Sequence, residues 1–238
     1  MSMTYTTIFC IIGKPGTGKT KFIKKIMSDQ DFVERFGLTR MAYCTTKVRR
    51  YAEQEYYYTF MPYAEYRRID RNDIIEFRSY DNYDGETYFS FTRKQDINLG
   101  STYICECTPV QCINYIKWAK NAELYEPTNQ IRIYPIIINS PIFNRMGRLW
   151  EKVVTDEDIY EFCGKILTEK YEFSLFIKDF PELLTDTSNR HSIVINNEVD
   201  GEDFIISCAG TIKSFIAEKM KELAALKTEI EEKEMGSV

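Results

Sequence analysis

The residues best suited to chemistry form one short run. Gly13, Lys14, Pro15, Gly16, Thr17, Gly18, Lys19 and Thr20 match the pattern Gly-x-x-x-x-Gly-Lys-Thr. Its glycines let successive backbone N–H groups turn inward onto an anion. A helix starting just after them adds partial positive charge. Lys19 sets an ammonium against the outer phosphates of a nucleotide, and Thr20 offers a hydroxyl to Mg²⁺. The run implies a cradle for ATP with its Mg²⁺. It leaves open what receives the phosphate.

A second polar run begins 25 residues after Lys19 and reads CTTKVRRYAEQEYYYTF, residues 44–60. Arginine grips a phosphate at two points, lysine acts as a point charge, and tyrosine hydroxyls add neutral donors. Glutamates interrupt the basic residues, and the whole chain of 238 residues carries a net charge of −5. Nucleic-acid binding calls for a denser basic patch, so the run suits a small anion. A solvated basic surface is the plainer alternative.

The elements that must position these residues follow from pattern. Residues 4–12 (TYTTIFCII) are β-branched and apolar, a buried strand. Apolar residues at Phe22, Ile23, Ile26 and Met27 give the next segment a helical period. Strand, glycine turn and helix is the setting the phosphate-loop pattern requires. Residues 37–95, rich in Tyr, Arg and Asp, read as a small inserted β-rich lobe with a helical piece over 63–77. Further core strands are expected at 101–108, 131–139 and 191–197, with helices at 110–121 and 140–176, the latter broken near 153–158. A helix over 201–235 carries an apolar stripe of Ile212, Phe215, Ile216, Met220, Leu223, Leu226 and Ile230. Packing on the chain's own core and pairing in a homodimer are both open for that stripe. The order predicts an α/β fold, a three-layer α/β/α core with a parallel sheet.

At residues 44–60 the sequence resembles the guanylate kinases, whose phosphate loop is followed by S-T-T-R-x-P-R-x-G-E and then D-Y-x-F. Thr45 and Thr46 match the paired threonines, Lys47 and Arg50 the two arginines, Glu53 the glutamate, and Tyr58 and Phe60 the Y-x-F. Cys44 stands near the serine that reads the guanine oxygen, and Arg49 takes the proline. The resemblance implies that Lys47, Arg50, Tyr58 and Tyr88 hold the phosphate of an acceptor nucleotide, with Ser90 beside them in TYFSF. It assigns guanine recognition to Glu76 in DIIEF and to Glu106 in YICECT. Guanine presents two adjacent donors, for which a carboxylate is the natural partner. Glu106 also follows apolar strand residues, where an unpaired charge is costly, so a Mg²⁺-linked role is open for it.

The resemblance further implies a lid over residues 145–175. Arg148 in GRLWEK starts it, and Lys152 and Lys165 stand at arginine positions, with Glu172 at the family's glutamate. Asn196 in IVINN matches an asparagine on the ATP side. The implied domain is a single guanylate kinase-like P-loop NTPase unit over 1–238. The implied activity transfers the terminal phosphate of ATP to GMP or dGMP, with Lys19, Arg50, Arg148 and Lys165 stabilising the transferred group and Thr20 on the metal. A kinase for another base, a non-catalytic binding module and a simple P-loop ATPase are the competing readings. The likeness covers about residues 6–109 well and 131–216 loosely.

Composition is that of a globular protein: 44% hydrophobic and 28% charged. No apolar run approaches the roughly 18 residues that span a membrane. The opening MSMTYTTIFC shows no basic, cleavable leader, so the expectation is a cytoplasmic protein without membrane or nucleic-acid partners. The seven cysteines are scattered along the chain and His191 stands alone, so reduced, buried thiols are expected rather than a metal centre.

Overall fold

The computed structural model describes residues 3–49, 57–81, 83–126, 128–179, 192–197 and 201–235, without the side chains of 165, 169–170, 175–177, 179, 231 and 233–235. β1 (Thr4–Gly13) is buried at every position after Thr4. It pairs in parallel with β7 (Thr102–Cys107) on one side and β8 (Asn129–Asn139) on the other. β2 (Leu38–Arg40) and β9 (Ile193–Asn196) complete the sheet in the order β2-β7-β1-β8-β9, all parallel. Among the described residues no helix is long and apolar enough to cross a membrane.

Alternation along β1 builds two cores. Phe9 and Ile11 point to one face, where α1 (Lys19–Met27) adds Phe22, Ile23 and Ile26. The C-terminal helix α7 (Glu202–Met235) adds Ile212, Phe215 and Ile216 to the same cluster. Ile8, Cys10 and Ile12 point to the other face, against Cys112, Ile113 and Tyr115 of α4 (Pro109–Tyr125). Both faces are covered, which explains why β1 and β8 read as continuous apolar runs. The apolar stripe of α7 is covered as far as Leu223, whereas Leu226 is 37% exposed.

The second sheet has the order β4-β3-β6-β5 and carries the inserted segment. Its strands are β3 (Tyr43–Thr45), β4 (Tyr58–Phe60), β5 (Ile74–Asp81) and β6 (Thr87–Arg93). The first three residues after Gly37 belong instead to the edge of the core sheet, as β2. A strand that short leaves no readable period.

The helix expected over 63–77 is not formed. α3 (Tyr63–Tyr66) is one turn, and Ile74–Asp81 is a strand paired with β6 along its length. Pairing with β6 decides for the strand, a conformation that the two adjacent β-branched isoleucines tolerate. α2 (Gln30–Phe36) follows α1, and the segment after β8 forms α5 (Ile142–Trp150) and α6 (Asp156–Asp179).

Candidate active site

The loop between β1 and α1 is built for an anion. Gly16 and Gly18 have φ of 80° and 92°, a left-handed backbone that glycine adopts without strain. A Cβ on Gly16 would stand 2.5 Å from the carbonyl oxygen of Arg145. Gly18 caps α1 without any side-chain hydrogen bond, and the first turn carries no acidic residue. The Lys21 N–H turns back to the Gly18 carbonyl at 2.9 Å, which leaves the N–H groups of Lys19 and Thr20 to a ligand. The Lys19 ammonium donates to the carbonyl oxygens of Gly13 at 2.7 Å and Lys14 at 3.2 Å. Burial lowers its pKa, and the nearby Glu106 carboxylate opposes that shift.

Two further elements hold the loop. Asn197, just beyond β9, donates from its side chain to the Thr17 carbonyl at 2.7 Å. On α5, Arg145 donates to the Pro15 carbonyl at 3.2 Å and Arg148 to the Gly16 carbonyl at 3.0 Å. At the end of β7, Glu106 accepts the Thr20 hydroxyl at 2.6 Å and lies 3.8 Å from the Lys19 ammonium. The backbone carbonyl of Glu106 accepts the Tyr43 hydroxyl. A hydroxyl and a carboxylate beside a phosphate cradle are the oxygen donors that Mg²⁺ takes, so Thr20 and Glu106 fit that ion.

Facing the loop is one side of the smaller sheet. The register pairs Glu76 with Thr92, Arg78 with Ser90, and Tyr80 with Tyr88. Glu76 is 2% exposed. Its Oε1 accepts from Thr92 Oγ1 and from Gln111 Nε2, each at 3.1 Å. With Thr92 donating to Glu76, the 2.8 Å contact between Thr92 and Tyr115 must have the tyrosine as donor. Glu76 Oε2 has no hydrogen-bond partner among the described residues. Burial pushes the carboxyl pKa up, against the pull of Arg78, Gln111 and Thr92. This is one carboxylate oxygen fixed and the other left to receive donors.

No family model and no curated protein matches the chain. Among solved structures it is similar to the guanylate kinase from Anaplasma phagocytophilum, with a TM-score of 0.50 and 14% identity over 92% of this chain and 88% of that one. The fold is guanylate kinase-like.

Within that guanylate kinase-like fold the residues singled out from the sequence fall into separate groups. Gly13 to Thr20 form the loop, and Glu106 joins them through Thr20 rather than joining Glu76. Glu76, Ser90 and Tyr88 share one face of the smaller sheet. Tyr58 pairs in register with Tyr43 and is 37% exposed. Cys44 lies on the opposite face, in the cluster with Phe91 and Tyr66, its thiol 3.3 Å from Asp96. Alternation makes Tyr43 and Thr45 the β3 residues on the Ser90 side.

Lys47 reaches across to α6, pairing with Glu161 at 2.7 Å above the Tyr88 ring. Asn196 accepts from Asn139 at an exposed position, and its neighbour Asn197 is the residue that touches the loop. Arg50 and the Lys165 side chain lie outside the described residues.

Among the contributors that escaped the sequence reading, Arg145, Gln111 and Asn197 differ in what signal they left. Arg145 has a sequence signal, its i,i+3 spacing from Arg148 on one helix face. Gln111 has another. The run TPVQ is a capping box, in which Gln111 accepts the Thr108 N–H at 2.8 Å and Thr108 caps Gln111. Asn197 has none, because only the end of β9 brings it to Thr17.

The fold also gathers thiols that the sequence scatters. The sulfurs of Cys10, Cys107 and Cys112 lie within 4.8 Å of one another, and Cys105 is 3.8 Å from Cys10. All four are fully buried in the apolar cluster under α4. Burial raises the Cys10 pKa well above the usual thiol range, which keeps it protonated.

Proposed function

We propose that the chain is a nucleoside monophosphate kinase that transfers the γ-phosphate of ATP to GMP or dGMP. The observation that carries this reading is Glu76: a buried carboxylate, one oxygen held by Thr92 and Gln111, the other without a hydrogen-bond partner among the described residues. Guanine offers two adjacent donors to such a group. Burial raises the pKa of Glu172 on α6, and Arg78 of the smaller sheet and Lys19 of the loop both oppose that shift. A simple ATPase has no use for an acceptor site.

In this reading the acceptor oxygen is already anionic, so transfer depends on positioning and charge stabilisation rather than on a strong base. Lys19 leaves the carbonyls of Gly13 and Lys14 and turns to the outer phosphates. Arg145 and Arg148 keep α5 docked on the loop, so the two nucleotides meet in a fixed geometry. Thr20 and Glu106 would hold Mg²⁺, which supplies neutralising charge at the phosphates when bound. Arg50 and Lys165 are assigned to the transferred group by resemblance alone.

The test is ADP release from ATP with Mg²⁺, measured against a panel of ribo- and deoxyribonucleoside monophosphates. GMP and dGMP should stimulate release most. Stimulation only by other bases would reject the guanine assignment, and no stimulation by any member would reject the kinase reading.

A further inference from the structure

The acceptor face carries a cation that the family resemblance does not call for. Arg78 lies two residues beyond Glu76 on β5, so both side chains leave the same face, roughly 7 Å apart along the strand. Its cross-strand partner is Ser90, and the next pair is Tyr80 with Tyr88, their rings stacked at 5.3 Å. The guanidinium sits 5.4 Å from the centre of the Tyr80 ring. Its Nε is buried without a hydrogen-bond partner among the described residues, and so is the Ser90 hydroxyl. The nearest Glu76 oxygen is 3.8 Å from Nε, which is an ion pair but too long for a hydrogen bond.

These groups are costly as they stand. A buried donor without an acceptor loses its hydration for nothing in return. Here the Arg78 Nε and the Ser90 hydroxyl, paired across two strands, share that condition. Burial by itself would push the Arg78 pKa down. Tyr80, Glu76, Tyr43 and Glu172 outweigh it and drive the pKa up, so the surroundings are arranged for a cation. Glu172 brings a carboxylate from α6 into the reach of both Arg78 and Lys19. Lys47, which the resemblance gives to the acceptor phosphate, is paired with Glu161 at 2.7 Å.

We propose that Arg78 is a phosphate ligand of the acceptor nucleotide, with the Ser90 hydroxyl as a second donor. A nucleotide whose base edge faces Glu76 extends its sugar and phosphate along this face, towards the next pair of residues. The guanidinium then takes two phosphate oxygens in its planar fork, which lysine cannot do. The ligand class is a nucleoside 5′-monophosphate dianion. This inference rests on the kinase reading above and adds the residue that tells a nucleotide from its nucleoside.

The experiment measures binding of GMP, dGMP, AMP, CMP, UMP and dTMP, each beside its own nucleoside, by calorimetry. Wild type, Arg78→Ala, Arg78→Lys and Ser90→Ala are compared, with ATP as a control ligand and thermal unfolding to verify folding. Wild type should prefer the monophosphate over the nucleoside. Arg78→Ala should reduce that preference by roughly tenfold to a hundredfold, the scale of hydrogen bonds to charged groups. Arg78→Lys should fall between, and Ser90→Ala should lose a few-fold. Affinity for ATP should stay within about threefold, and affinity for the nucleoside should fall less than that for the monophosphate, because Arg78 also pairs with Glu76.

Equal loss of monophosphate and nucleoside in Arg78→Ala, or no loss of either, overturns the inference while the kinase reading survives. If Arg78→Ala does not fold, Arg78→Lys and Ser90→Ala decide by the same ratio. Wild type that binds no monophosphate overturns both.

Discussion

Gln111 uses both ends of its amide. Its oxygen accepts the backbone N–H of Thr108 at 2.8 Å, closing the cap of α4, and its nitrogen donates to Glu76 Oε1 at 3.1 Å. The cap therefore fixes which way the amide faces. A helix-start signal doubles as the clamp on the buried carboxylate of the smaller sheet.

Gln111→Met keeps the shape and removes both bonds. It should destabilise the chain by about 1–3 kcal/mol, since Glu76 loses a donor while remaining buried. GMP affinity should fall while ATP affinity holds. Calorimetric binding of the two nucleotides, with thermal unfolding beside it, measures all three quantities.

Glu76→Gln should separate function from stability. The folded-state pKa of Glu76 is raised by burial above its unfolded value. Between those two values the folded chain keeps a proton that the unfolded chain has released, so stability falls as pH rises through that window. The variant has no such term. It should melt at a higher temperature than wild type at neutral pH, and the gap should close as pH drops below the ordinary glutamate range. GMP should bind roughly tenfold to a hundredfold more weakly. A gap in melting temperature that does not change with pH would contradict the assignment of the shift to Glu76.

Glu106→Gln keeps an acceptor for the Thr20 hydroxyl and removes the charge. The Mg²⁺ concentration that half-saturates activity should rise by about 10- to 100-fold, the range seen when groups supporting a metal ligand are altered. A titration of activity against Mg²⁺ at fixed ATP reads it directly.

Two glycines near each other should respond with opposite signs. Gly16 has φ of 80°, and its Cβ would meet the Arg145 carbonyl at 2.5 Å. Gly16→Ala should cost about 1–2 kcal/mol from backbone conformation alone, with the clash added. Gly147 lies in α5, and an added Cβ meets nothing within 4 Å. Gly147→Ala should stabilise by about 1 kcal/mol through helix propensity. Thermal unfolding of the two variants is the comparison.

The phosphate loop and its strand and helix were legible in the sequence because their physics is local. Gly13, Gly16, Gly18, Lys19 and Thr20 act within one turn of backbone, and the apolar periods on either side are short-range patterns. The alternating β5 and edge strand β2 were lost for the converse reason. Ile74–Asp81 becomes a strand by pairing with β6, and Leu38–Arg40 by pairing with β7. Neither partner is visible from the segment itself.

The rest of the candidate site was decided by tertiary structure. The resemblance put Glu76 and Glu106 on the base and left a Mg²⁺-linked role open for Glu106; the fold sets Glu106 against Thr20 and surrounds Glu76 with Thr92, Gln111 and Arg78. Alternation on β3 turned Cys44 away and brought Tyr43 forward. Asn197 reached the loop only because β9 joins the sheet edge beside β8. A buried charge needs partners on several elements at once to satisfy its hydrogen bonds, and such a set has no spacing along the chain. The sequence alone determined that a triphosphate could be cradled; the packing of the smaller sheet against α4 decided which carboxylate is buried and held by Thr92 and Gln111.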